Sequence, residues 1–114
     1  MSISIFNSLM THKVELIKRA RTKEGNFKDV VTYPHEKGFC QYGNKMIKLK
    51  TGEEIMSTAI IFLQNDSKID INHEYWKINQ ISPQTRKNME VLQIDPVDDP
   101  TNAGNTHHYE CIVR

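Results

Sequence analysis

From His12 onward, apolar residues tend to recur at every second position, in short runs separated by turn-forming residues. A period of two places successive side chains on opposite faces of an extended strand. Val14 and Leu16 alternate with charged neighbours, which predicts a strand over His12–Arg19. Thr22–Asn26 is a turn, with Gly25 and Asn26 as its expected positive-φ pair. Phe27–Tyr33 is rich in β-branched residues and predicts a second strand. Pro34 has no N–H to donate and is expected to interrupt the ladder, with extended structure resuming at Phe39–Tyr42.

Ile55–Leu63 is the strongest strand signal in the chain. Ile55, Ser57, Ala59, Ile61 and Leu63 share one face, and Met56, Thr58, Ile60 and Phe62 the other. A strand apolar on both faces is central, or becomes covered on assembly. Further strands are predicted at Tyr75–Ile81, ended by Ser82-Pro83, at Met89–Asp95 and at His107–Val113. Residues 95–106 read as a polar, proline-rich flexible loop. Residues 1–10 read as a short helix or arm, with Phe6, Leu9 and Met10 on one face. Six to seven strands with no long helix predict an all-β chain, a small antiparallel β-barrel forming one domain over residues 1–114.

The segment Gly43–Glu54 stands apart. Turn signals bracket it at Gly43-Asn44 and Thr51-Gly52, and Lys45, Lys48 and Lys50 alternate with Met46, Ile47 and Leu49. From Lys37 to Gly52 there is no acidic residue. It reads as a long basic loop with Gly43 and Gly52 as hinges.

The 114 residues carry a net charge of only +1, but it is unevenly spread. Residues 1–57 hold ten Lys/Arg against six Asp/Glu, and residues 58–114 hold five against eight. Opposed halves suit contacts between different faces of neighbouring copies. No apolar stretch is long enough for a membrane helix, and the N-terminus lacks the pattern of a secretory signal, so a soluble protein made in the cytoplasm is expected.

Candidate chemistry is sparse. There is no phosphate-binding glycine loop, nucleophile elbow, His-Glu-x-x-His or Cys-x-x-Cys motif. Cys40 and Cys111 read as reduced, partly buried thiols. His107, His108 and Cys111, with Cys40, are the best metal candidates. On a strand, however, His107 and Cys111 lie about 13 Å apart, too far to share an ion. His108 with Glu110 and His12 with Glu15 are read as polar strand faces, since nothing supplies a pocket. Trp76 is read as core. No metal, cofactor or enzymatic activity is expected. The three lysines invite a nucleic-acid reading, but only Tyr33 and Tyr42 are near enough to stack on bases.

Three stretches carry a resemblance. Thr51-Gly-Glu-Glu-Ile-Met-Ser-Thr-Ala-Ile-Ile-Phe-Leu63 is similar to a recurring "Gly-Glu, two residues, Ser-x-Ala-x-hydrophobic-Leu" segment, continued here by Ile69-Asp-Ile-Asn-His-Glu-Tyr-Trp-Lys-Ile78. The ending His107-His-Tyr-Glu-Cys-Ile112 matches a "His-His-aromatic-Glu-hydrophobic" close. The opening has the same order of arm, strand, glycine turn and strand. Together they resemble the head-completion (stopper, head–tail connector) proteins of tailed bacteriophages. The chain departs from them at Asn72-His-Glu74, where they commonly carry Gly-Asp.

The resemblance implies a small β-barrel in the virion, at the head–tail interface. Twelve copies would form a ring below the portal and adaptor, close the channel over packaged double-stranded DNA, and present a docking surface to the tail. The loop before the long strand, with Lys45, Met46, Lys48 and Lys50, would line the channel as a gate. Another connector component (an adaptor or tail terminator) is the near alternative. A small nucleic-acid-binding barrel is the alternative from another class.

Overall fold

A computed structural model describes residues 3–114, with the backbone alone at residues 3 and 4. A short helix, α1 (Ile3–Ser8), precedes six strands: β1 (His12–Arg21), β2 (Phe27–Lys48), β3 (Glu54–Gln64), β4 (Trp76–Ser82), β5 (Arg86–Asp98) and β6 (Thr106–Val113). All pairings are antiparallel, and the sheet closes on itself in the order β1-β2-β3-β6-β5-β4. The all-β barrel expected from the alternating pattern is the fold observed.

The strands are staggered, as closure of a small barrel requires. β2 pairs with β1 up to Gly38 and with β3 from Gly38 onward. Gly38 is therefore flanked on both sides, by His12 and Leu63. A Cβ there would stand 2.8 Å from the Phe62 carbonyl oxygen and 3.2 Å from Leu63 Cδ2. Only glycine permits that approach.

β2 merges what the sequence divides into two strands. Pro34 does not end it. Between the pairs Val14↔Glu36 and Leu16↔Tyr33, β2 carries one residue more than β1, so Pro34 and His35 fall in a bulge where a missing N–H breaks no regular pair. Of the pair Gly25-Asn26, only Gly25 takes a positive φ, +86°.

Along β3 the period-two reading holds: Ile55, Ser57, Ala59, Ile61 and Leu63 are all buried. Ala59, Ile61 and Leu63 join one core with Val14 and Leu16 of β1, Trp76 and Ile78 of β4, Met89 of β5, and Cys111 and Val113 of β6. The buried Ser57 hydroxyl donates to the carbonyls of Ala59 and Val113, at 2.9 and 3.0 Å. In β5 a bulge between Val91 and Gln93 shifts the alternation, so both Val91 and Ile94 pack on the core.

The arm is only partly as expected. Met10 is buried and Phe6 half-buried, but α1 ends at Ser8 and Leu9 points to solvent, 48% exposed. Residues 1 and 2 of the arm lie outside the described residues. Residues 95–106 are not one flexible loop. Asp95–Asp98 complete β5, opposite Glu110, Tyr109, His108 and Thr106. The remaining turn is tied by Asp99 Oδ1, which accepts from the Thr101 amide (2.9 Å) and hydroxyl (2.7 Å). Those bonds hold the Asp99 carboxyl below its ordinary pKa.

Candidate functional site: the β2–β3 hairpin

The segment read as a basic loop is largely a β-hairpin. Lys45, Met46, Ile47 and Lys48 pair with Ser57, Met56, Ile55 and Glu54. Only Leu49–Glu53 turns, closed by Leu49 N–H to Glu53 O at 2.8 Å and Gly52 N–H to Leu49 O at 2.9 Å. Gly52 supplies the turn's positive φ, +91°. Gly43 lies not in a turn but in a bulge: between Tyr42↔Ala59 and Lys45↔Ser57, β2 carries one extra residue. Its φ is +155°, and no atom lies within 4 Å of the place a Cβ would take.

Beyond that bulge the ribbon is two-faced. Lys45 and Ile47 share a face with Ser57 and Ile55, which are buried. Met46 and Lys48 share the other with Met56 and Glu54. Met46 and Met56 stand directly opposite each other, 57% and 47% exposed. Methionine is a flexible, adaptable apolar side chain, and the two stand side by side at the surface.

The lysine run is partly balanced by acidic residues in the fold. Lys48 faces Glu54 across the ladder. The Lys50 ammonium pairs with Asp95 of β5 at 2.9 Å, and the Lys50 amide donates to Gln93 Oε1 at 2.9 Å. The tip thus reaches past β6, β3's own neighbour, to the strand beyond it. Lys45 remains exposed, with no ion pair among the described residues.

The interior next to the hairpin base is polar. The Tyr42 hydroxyl donates to Gln80 Oε1, and Gln80 is fully buried. Gln80 Nε2 donates to Ser82 O at 3.2 Å, and the Arg86 guanidinium sits 4.6 Å from the Tyr42 ring centroid. Burial raises the Tyr42 pKa, so its hydroxyl keeps its proton.

The other candidates have structural partners. His12 Nδ1 accepts from the Cys40 amide at 2.9 Å, and Glu15 accepts from Asn79 Nδ2 at 2.8 Å. Cys40 and Cys111 are buried free thiols; burial pushes Cys40 up to about 11 and raises Cys111 further. Trp76 is 2% exposed, with Nε1 donating to Asp70 O at 3.1 Å. His107 and His108 meet through their Nδ1 atoms at 2.8 Å, and Phe6 of α1 stacks on His108. Among the described residues, no group of three or more His, Cys, Asp or Glu is placed to hold a metal ion. No helix among them is long and apolar enough to cross a membrane.

Sequence reading missed Gln93, Asp95 and Gln80. Nothing local marks them: Gln93 lies 43 positions from Lys50, and Gln80 lies 38 from Tyr42. Comparison with known proteins finds no matching family model, no matching curated protein and no matching solved structure.

Proposed function

We propose that this chain is a structural assembly protein, a ring-forming head-completion component of a phage head–tail connector. The observation that supports this best is the hairpin Lys45–Ser57, which extends a filled barrel by a two-stranded ribbon with an exposed methionine pair. A barrel with a packed interior serves as a rigid block, and a ribbon leaving it is suited to meet a neighbour or to enter a channel. In a ring, each copy offers one surface to the next in a head-to-tail sense. The partners are further copies of the chain, an adaptor on the portal side, a tail component, and the double-stranded DNA in the channel.

The charge arrangement alters how such a gate would act. With Lys48 opposite Glu54 and Lys50 bound to Asp95, the hairpin has little net charge to offer phosphates. It would block the channel by its bulk rather than grip DNA by its lysines. The same compensation weighs against a free-standing nucleic-acid-binding barrel, whose affinity would need unpaired cations.

The test is an in-frame shortening of the hairpin tip, residues 48–54, which leaves the buried Ile55 and Ser57 in place, assembled onto filled heads. Heads that lose DNA, while the barrel keeps its melting curve, agree with the gate. Heads that retain DNA normally refute it.

A further inference from the structure

No ladder pairing ties the edges of the hairpin to the barrel; what holds it along its length is one face, with Ile55 and Ser57 buried and the Ser57 hydroxyl donating to Val113 O at 3.0 Å. Pairing of β1 with β2 stops at Gly38, and pairing of β6 with β3 begins at Ala59. Residues 45–48 and 54–57 therefore pair only with each other. At the base is the Gly43-Asn44 bulge, with open space around Gly43.

At the tip is a closed cycle of polar contacts among three residues, through two side chains and both the backbone and the side chain of Lys50. The Lys50 amide donates to Gln93 Oε1 at 2.9 Å. Gln93 Nε2 donates to both oxygens of Asp95, at 3.1 and 3.0 Å. The Asp95 carboxylate receives the Lys50 ammonium at 2.9 Å. Gln93 is the keystone, since it orients the carboxylate and also receives the hairpin backbone.

We propose that the β2–β3 hairpin is a hinged arm, clasped against β5 by Lys50, Gln93 and Asp95 and free to turn about the Gly43-Asn44 bulge when that clasp opens. The clasp is built to be reversible. The Lys50 side chain is 70% exposed, so water and salt compete for its ammonium. A glycine with no neighbour in its Cβ direction tolerates a change of backbone angle that other residues resist. Opening breaks no barrel ladder bond, because none crosses from the hairpin sides, but it gives up the Ser57–Val113 hydrogen bond and the burial of Ile55, so the clasped arm is the major state. The purpose of the motion, placing the arm in a channel, rests on the gate reading above; the clasp is a property of the isolated chain.

The test uses the full chain in solution. Amide hydrogen exchange is followed in the wild type, in Lys50→Met and Gln93→Ala, and in the charge swap Lys50→Asp with Asp95→Lys. Both single variants should lose roughly tenfold protection at residues 45–48 and 54–57, with Ala59–Leu63 unchanged. About 0.5 M salt should do the same to the wild type in part, and the swap should restore protection in part. Spin labels at Glu53→Cys and Lys87→Cys should give a broader distance distribution in Gln93→Ala. Unchanged exchange in the hairpin, an equal rise at Ala59–Leu63, or an unchanged distance overturns the clasp. Exchange as expected, with heads that keep their DNA after hairpin shortening, would leave the arm standing and remove the gate. Leaking heads with unchanged exchange would do the reverse.

Discussion

The ring of Phe6 lies stacked on the imidazole of His108, with centroids 4.3 Å apart and planes 22° from parallel. His107 Nδ1 and His108 Nδ1 are in hydrogen-bonding contact at 2.8 Å. Burial lowers the His108 pKa from 6.5; Glu110 opposes that shift and His107 adds to it. The folded chain thus resists a proton that the unfolded chain accepts. Stability is complete above about pH 6.5 and falls as pH drops through the window below it. Melting temperatures between about pH 7 and 5 should therefore fall more steeply for the wild type than for His108→Gln. Equal slopes would remove His108 from the acid response.

Gly38 should tolerate no side chain. Gly38→Ala places a methyl 2.8 Å from the Phe62 carbonyl oxygen, and both flanking strands are fixed by pairing. We expect a loss of about 1–3 kcal/mol in urea denaturation. A loss within error of zero would mean that β2 and β3 shift apart freely at this level.

Ile61 is completely buried in the centre of the core. Ile61→Val should cost about 1 kcal/mol, a small cavity. Ile61→Asp should cost more than about 4 kcal/mol, from an unpaired charge in an apolar interior, and leave the chain unfolded by circular dichroism. A cooperative melt near the wild-type temperature would contradict the burial of this face.

The two thiols should be silent in the native state. Cys40 is 4% exposed with its pKa raised to about 11, and Cys111 is fully buried. Thiolate is the reactive form, so a thiol reagent at neutral pH should label neither until denaturant is added. Rapid labelling of either in native buffer would show that the barrel opens there.

The alternation of apolar and polar residues was enough to read the strands of the barrel, because a strand with one face on a core must repeat with period two. Along Ile55–Leu63 that reading is correct residue by residue. It failed where a bulge absorbs a residue. Pro34 looked like a break, yet β2 continues through it; Gly43-Asn44 looked like a turn, yet the ladder resumes at Lys45. A bulge and a turn use the same residue types, and only the partner strand distinguishes them.

What the sequence determined by itself is the fold class: alternation, turn residues and a long two-faced strand leave few arrangements other than a small closed antiparallel sheet. What only the tertiary structure decided is the character of Lys45–Lys50. In the chain no acidic residue falls between Lys37 and Gly52, so the lysines read as a basic loop. In the fold, Glu54 arrives by hairpin pairing and Asp95 by barrel closure. Electrostatic interaction depends on distance in space, and closing the sheet brings Asp95 to 2.9 Å from an ammonium 45 positions away in sequence.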